Sequence, residues 1–263
     1  MTTTPTDTTA TSADGTRIAV TRQGSGPDLV MVHCVGTSRA RTPEGDLPAA
    51  LAEHFTVWTY DRRGTGTSAD GAAPYAVERE FEDLTAVIDL AEGRPVTVYG
   101  FSSGATLALL AAAGGVRLER LALLEPPLLT EADPALALRD HAARLLAEEG
   151  PDAADHWYKV EVVGVPEEVM AQLPPRTDED RRNTGTIVHE LEFLPGTTAD
   201  RFAGVEQPVL VVASDQTDPF IHACQDAIVD AVASAEKLVL PGEWHGVPPT
   251  DLARAIADFV ART

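Results

Sequence analysis

One stretch decides the fold: VTVYGFSSGATLALLAAAGG, which runs from Val96 to Gly115. Its opening VTVY predicts a buried strand, and its closing run of Leu and Ala predicts a buried helix. Between the two, Gly100-Phe101-Ser102-Ser103-Gly104 has to turn the chain sharply. Glycines at the two ends of this turn remove side chains that would otherwise collide. The stretch therefore predicts a strand–turn–helix unit with the Ser102 hydroxyl lifted clear of a sheet.

The sequence on both sides of this stretch alternates between strand-like and helix-like apolar runs. This alternation predicts parallel strands joined by helical crossovers. The other predicted strands are Thr16–Gln23, Leu29–His33, Phe55–Tyr60, Arg120–Leu124, Pro208–Ser214 and Lys237–Leu240. The predicted core helices are Leu47–His54, Val77–Ala91, Ser103–Ala113, Cys224–Ala233 and Asp251–Arg262. Asp14-Gly15 is a hairpin signal, so the strand from Thr16 is expected to pair with the residues before it.

The alternation stops between residues 130 and 207, where only helical stretches such as Ala135–Glu149 and Pro166–Leu173 occur. An insertion of this length between two core strands is typical of a lid or cap. We therefore predict a core formed by residues 14–129 and 208–263. Residues 130–207 would form a helical cap on that core rather than an independent domain. The threonine-rich residues 1–13 are expected to be a disordered tail.

The composition excludes several classes of partner. The 263 residues carry a formal net charge of −21, which disfavours nucleic acid and anionic membrane surfaces. The N-terminus lacks the basic and apolar regions of a signal peptide, and no apolar run approaches the roughly 18 residues of a membrane span. The two cysteines, Cys34 and Cys224, suggest neither a metal site nor a disulfide framework. We expect a cytoplasmic monomer or homodimer that acts on a small molecule without metal or cofactor.

Two motifs carry a resemblance to a known family. The G-x-S-x-G turn at Gly100–Gly104 and the segment YDRRGTGTS at Tyr60–Ser68 resemble motifs of the α/β-hydrolase fold superfamily. The resemblance covers the chain from about residue 12 to its end and is weakest in the predicted cap. It implies a doubly wound, mostly parallel, eight-stranded sheet with the cap between strands 6 and 7. In YDRRGTGTS, Asp61 and Arg62 are expected to hold nearby loops together.

The resemblance also implies a catalytic triad. Ser102 would be the nucleophile on its nucleophile elbow, and it needs a base that is oriented by an acid. In this family the catalytic histidine follows the last strand, which is where His245 lies in LVLPGEWHG. The order of serine before histidine along the chain agrees with the family.

The acid of the triad is left open by the sequence. In the family it usually follows the seventh strand, but that position falls on Thr217, with Asp218 one residue late and Asp215 two early. Glu125 ends the strand RLALL in RLALLEPP, 23 residues after Ser102, where some members carry the acid instead. A hydrolase subgroup that shares SSGA at the elbow and EPP here lacks the later aspartate. Glu125 is therefore preferred, with Asp218 as the alternative.

The oxyanion hole is predicted to use two backbone amides, those of Ser103 and Val35. The family usually has His-Gly after the strand that ends at His33, whereas this chain has Cys34 in place of the glycine. Cys34, Trp157 and Tyr158 are candidate substrate-binding residues. Arg39 and Arg41, in the same loop as Cys34, are candidates for contact with an anionic substrate.

The expected function is that of a serine hydrolase, an esterase-like enzyme that cleaves an ester, thioester or lactone. The fold also supports C–C bond hydrolysis, acyl transfer, cofactor-free lyase or cyclase steps, and perhydrolysis. A non-catalytic ligand-binding protein is a further alternative. No feature of the sequence separates these chemistries.

Overall fold

The computed structural model describes residues 4–130 and 133–262 and contains an eight-stranded, mostly parallel sheet. The strands are β1 Thr6–Thr11, β2 Arg17–Gly24, β3 Asp28–Val32, β4 Thr56–Tyr60, β5 Val96–Phe101, β6 Arg120–Leu124, β7 Val209–Ser214 and β8 Ala235–Leu240. They are ordered β1-β2-β4-β3-β5-β6-β7-β8; the pairs β1–β2 and β2–β4 are antiparallel, and the other five pairs are parallel. The doubly wound sheet predicted from the sequence is thereby confirmed.

Ten α-helices connect and cover the strands within the described residues. They are α1 Leu47–Leu51, α2 Val77–Ile88, α3 Ser103–Ala113, α4 Asp133–Glu148, α5 Pro151–Trp157, α6 Glu167–Met170, α7 Asp178–Asn183, α8 Ile187–Phe193, α9 Pro219–Ala231 and α10 Pro249–Ala261. The largest difference from the predicted bounds is at α9, which begins five residues before the predicted start at Cys224. Asp218 caps this helix through a hydrogen bond from the Phe220 amide, and Pro219 takes the first helical position.

The expectation of a disordered tail over residues 1–13 is wrong for Thr6–Thr11, which form strand β1. This strand pairs with β2 from Thr6 opposite Arg22 to Thr11 opposite Arg17. β-Branched threonine suits a half-exposed strand, and Ala10 turns inward and is buried. The hairpin signal at Asp14-Gly15 therefore predicted the pairing correctly, whereas the composition of the segment was misleading. Residues 1–3 lie outside the described residues.

The central strands β3 to β7 are buried on both faces, as their uninterrupted apolar sequences predict, whereas the edge strands β1 and β8 are partly exposed. Side chains such as Val30 and Val98 point into one apolar cluster, which also holds the inner side of α3. Met31 and Tyr99, one residue further along the same strands, point into the opposite cluster, which α10 covers. Because both faces of the parallel strands are packed, the carboxyl ends of these strands lie side by side. The loops that follow the strands therefore meet at one edge of the sheet.

Helices α4 to α8 all lie between β6 and β7, and the described residues of this segment contain no strand of the sheet. We call residues 133–207 the helical insertion. Its own apolar cluster is small and is formed by Ala142, Tyr158, Ile187 and Leu191. Across residues 4–130 and 133–262, none of the helices combines the length and hydropathy required to cross a bilayer.

Candidate active site

Ser102 lies between the last residue of β5 and the first residue of α3, in a left-handed backbone conformation with φ of 52°. Gly100 and Gly104, on either side of Ser102, lie at positions where a side chain would not fit. A Cβ at Gly100 would lie 2.5 Å from the Ala105 Cα, and one at Gly104 would lie 2.4 Å from the Val32 carbonyl oxygen. The Ser102 amide donates to the Leu124 carbonyl at 2.8 Å, which ties the turn to β6. The hydroxyl is held at the carboxyl edge of the sheet.

His245 follows β8 and meets this hydroxyl. Its Nε2 lies 3.0 Å from the Ser102 Oγ, and its Nδ1 lies 2.6 Å from Glu125 Oε2. The loop that carries it is anchored on β7, because the Ser214 hydroxyl donates to the Glu243 carbonyl at 2.6 Å. His245 also has a positive φ, of 56°. Two residues that are 143 positions apart in the sequence are therefore within hydrogen-bond distance.

Glu125 directly follows β6 and is fully buried, with 0% of its surface exposed. A buried carboxylate is tolerated only when its oxygens are hydrogen-bonded. Its Oε1 accepts the Ser214 amide at 2.8 Å, and its Oε2 accepts the Thr217 hydroxyl at 2.9 Å as well as the imidazole. Because an ionised carboxylate only accepts, the imidazole donates from Nδ1, which leaves Nε2 free to accept the Ser102 proton.

The alternative acids have other partners. The Asp218 carboxylate accepts from the Phe220 amide at the start of α9, and Asp215 accepts from the Gly242 amide at 2.9 Å. Neither forms a hydrogen bond or ion pair with His245 in the described part of the chain. Sequence reasoning missed the contribution of Thr217, which occupies the family's usual aspartate position and donates to Glu125. The signal that could have revealed this role is the position of Thr217, where the resemblance to the family places an aspartate.

The two residues predicted to supply the oxyanion amides are in direct contact. The Val35 amide donates to the Ser103 hydroxyl at 3.0 Å, so the two predicted contributors are joined through a side chain. The Gly36 amide donates to the Thr186 hydroxyl at 3.4 Å, which links the loop to the helical insertion. Burial, reinforced by the nearby Glu44 carboxylate, raises the pKa of the Cys34 thiol to about 12. The thiol therefore remains protonated at neutral pH and is a poor nucleophile.

The loop from Tyr60 to Ser68 supports this region, as the sequence predicted. Asp61 accepts the amides of Arg39 and Thr67 at 2.8 and 2.9 Å. Arg62 is buried and forms paired hydrogen bonds with Glu80 of α2 and with Glu190 of α8. It also donates to the His33 carbonyl at 3.4 Å, directly before the loop that carries Cys34 and Val35. Although burial opposes the charge, the two carboxylates hold the pKa of the Arg62 guanidinium well above its usual range.

A cavity of about 1130 Å³ opens above Ser102 and His245. Cys34 and Tyr158, two of the candidate substrate-binding residues, line this cavity. Trp157 is not among the lining residues, so its predicted role in substrate binding stays a prediction without a contact to this cavity. Its ring packs edge-on against His141 with centroids 4.7 Å apart, because it faces the interior of the insertion. Among the described residues, no group of three His, Cys, Asp or Glu side chains could hold a metal ion.

The fold and this constellation define a class: an α/β sheet with a serine on a strand–helix turn, a histidine and a buried carboxylate at one edge. A model of the "Alpha/beta hydrolase family" matches residues 29–261. The chain belongs to the alpha/beta hydrolase family.

Known proteins show similarity of different extents. A crystal structure of an alpha/beta hydrolase from Sphaerobacter thermophilus superposes with a TM-score of 0.87 at 36% identity, over 97% of this chain and 100% of the other. The "Probable oxidoreductase EphD" of Mycobacterium tuberculosis is 38% identical over 98 residues, which are 35% of this chain and 16% of that protein. The "Uncharacterized hydrolase YraK" of Bacillus subtilis is 34% identical over 97 residues, 36% of this chain and 35% of the other. The chain thus spans well under half of these two relatives.

Proposed function

We propose that the protein is a serine hydrolase that cleaves an ester, thioester or lactone through an acyl-enzyme on Ser102. One observation above all supports this proposal. The Ser102 hydroxyl, the His245 imidazole and the Glu125 carboxylate form a continuous hydrogen-bonded chain with steps of 3.0 and 2.6 Å. Ser102 and His245 line the large cavity, through which a substrate has access to the Ser102 hydroxyl.

The first half of the reaction follows from these contacts. Ser102 Oγ attacks the acyl carbon while its proton passes to His245 Nε2, and the carbonyl π electrons move to the oxygen. Glu125 stabilises the imidazolium that forms, because its negatively charged oxygen accepts a hydrogen bond from Nδ1, which keeps its proton. The tetrahedral intermediate then collapses. The alcohol or thiol leaves with the proton from Nε2, and Ser102 is esterified.

The second half repeats these steps with water. His245 Nε2 takes a proton from a water molecule, the resulting hydroxide attacks the acyl carbon, and Ser102 Oγ leaves and regains the proton. The oxyanion of both intermediates would be held by the Ser103 and Val35 amides. In the free protein the Ser103 hydroxyl accepts the Val35 hydrogen bond, and the oxyanion would replace it as the acceptor.

The proposal is tested by active-site labelling and product analysis. The wild type should react with a fluorophosphonate probe at one serine, and Ser102→Ala should not react. Turnover of p-nitrophenyl acyl esters should fall by about 10⁵-fold or more in Ser102→Ala, because the nucleophile is lost. Formation of one free carboxylic acid per alcohol released distinguishes hydrolysis from acyl transfer and lyase chemistry. An unlabelled wild type would contradict the proposal.

A further inference from the structure

The cavity above Ser102 carries three cations, Arg39, Arg41 and Lys159, on its wall. Taken alone, these side chains suggest a site for an anionic substrate. The structure gives each of them a carboxylate partner. The distance from Arg41 Nε to Asp180 Oδ1 is 2.7 Å, and that from Lys159 Nζ to Asp155 Oδ2 is 2.8 Å. Both carboxylates line the same cavity, so each cation is neutralised within the wall.

Arg39 is bound still more completely. Its Nε lies 3.2 Å from Asp61 Oδ2, and one terminal nitrogen lies 3.1 Å from Asp7 Oδ1. Its other terminal nitrogen donates to the Thr67 hydroxyl at 3.1 Å. An arginine recognises a substrate carboxylate best through a pair of free parallel donors. The fork of Arg39 is turned toward protein partners instead.

The rest of the wall adds negative charge. Asp46 and Glu243 also line the cavity and are exposed. No cation of the described residues forms an ion pair with either of them. The chain as a whole carries a formal charge of −21. An incoming carboxylate would therefore meet a repulsive field without finding a free counter-charge.

Apolar side chains concentrate at the mouth of the same cavity. The described residues include six exposed large hydrophobic side chains, and four of them line this cavity. Three come from the insertion, Val163, Val169 and Leu173, with 38%, 42% and 44% of their surface exposed, and the fourth is Trp244 at 42%. Exposed apolar side chains that cluster around a cavity mark a binding surface. Trp244 directly precedes His245 and lies close to the reacting atoms.

From the neutralised cations, the surplus carboxylates and the apolar mouth, we infer that the substrate class is a neutral ester, thioester or lactone with an apolar acyl part. An acyl group that carries a carboxylate is rejected. This inference rests on the proposed function, because it names the substrate of the Ser102 site.

The test uses two esters that differ by one group. In p-nitrophenyl pentanoate the five-carbon acyl chain ends in a methyl group, and in mono-p-nitrophenyl glutarate it ends in a carboxylate. Wild-type kcat/KM should be at least about tenfold higher for the pentanoate. Ser102→Ala cannot turn the esters over, so calorimetry with this variant measures binding alone. It should bind the pentanoate ester at least about tenfold more tightly than the glutarate ester.

A charge variant tests the cause. Asp180→Asn removes the partner of Arg41 and should shift the pentanoate-to-glutarate ratio of kcat/KM about tenfold toward the glutarate ester. The matched control is Asp178→Asn on the same helix, α7, because the Asp178 side chain is exposed and, among the described residues, forms an ion pair with Arg181 alone. The ratio should be unchanged in this control.

The outcomes separate the two proposals. Equal or tighter binding of the glutarate ester to Ser102→Ala would overturn the inference about substrate class, as would an unchanged ratio in Asp180→Asn. Failure of the wild type to hydrolyse either ester, with the binding preference retained, would count against the proposed function alone.

Discussion

The edge of the sheet and the helical insertion face each other across the cavity and are built in different ways. Ser102, Glu125 and His245 have positive φ values of 52°, 51° and 56°, and the described residues contain only one other non-glycine with positive φ. Such backbone strain persists only where the surroundings fix it, here through buried hydrogen bonds to β6 and β7. The insertion instead presents exposed apolar side chains on short helices and in the turn that follows α6. The rigid edge suits chemistry, and the insertion suits recognition.

The largest expected effect distinguishes the two candidate acids at the rigid edge. Glu125→Gln should lower kcat by about 10,000-fold, because the amide no longer stabilises the imidazolium or fixes its tautomer. Asp218→Asn is the control and should change kcat by less than about twofold, since asparagine caps a helix as well as aspartate does. Steady-state kinetics on a p-nitrophenyl ester measures both. A large loss in Asp218→Asn with near-normal Glu125→Gln would reverse the assignment.

The next prediction concerns the joint between the two regions. Glu190→Ala should lower the free energy of unfolding by about 4 kcal/mol, because it removes two charge-assisted hydrogen bonds to the buried Arg62 guanidinium, which then keeps only Glu80 as its carboxylate partner. Glu192→Ala on the same helix removes only the partly exposed pair with Arg139 and should cost less than about 0.5 kcal/mol. Urea unfolding of both variants makes the comparison. Equal losses of unfolding free energy in the two variants would show that the contact between core and insertion does not depend on the buried Arg62–Glu190 pair.

A glycine in each region offers a further contrast. Gly104→Ala should cost about 3 kcal/mol, since the new Cβ would lie 2.4 Å from the Val32 carbonyl oxygen, which belongs to the backbone. Gly185→Ala, in the insertion, meets no atom within 4 Å and should change stability by less than about 0.5 kcal/mol. Thermal unfolding monitored by circular dichroism distinguishes them. A tolerated Gly104→Ala would mean that the elbow is less tightly packed than described.

The smallest expected effect is on pH dependence at α8. Burial lowers the pKa of His189 below its ordinary value of 6.5, and its ring stacks on Tyr75 with centroids 4.1 Å apart. As the pH falls below about 6.5, the unfolded chain binds the proton first, so His189 contributes a loss of stability in acid. His189→Phe retains a stacking ring without a titratable group. Its urea midpoint should fall less than that of the wild type between pH 8 and pH 5.5, and an identical fall would refute this.

Much of the fold could be predicted because its signals are local. The apolar runs of β5 and β6 and the G-x-S-x-G turn depend on neighbouring residues, and the predicted bounds of α3 and β6 agree with the structure. The error at Thr6–Thr11 has the opposite origin. A threonine-rich segment forms a strand only because β2 supplies its hydrogen bonds, which composition cannot show.

The sequence by itself determined the sheet, the elbow that presents Ser102 and the placement of a histidine after the last strand. It did not decide between Glu125 and Asp218, since an Asp-Pro pair before a helix fits both an acid and a helix cap. The tertiary structure places Glu125, rather than Asp218, against His245, because parallel pairing of β6 with β7 brings Glu125, Ser214 and Thr217 together next to the imidazole. The same holds for the pairing of Arg41 with Asp180, 139 residues away. Contacts between distant segments depend on how strands and helices pack, and no local pattern encodes them.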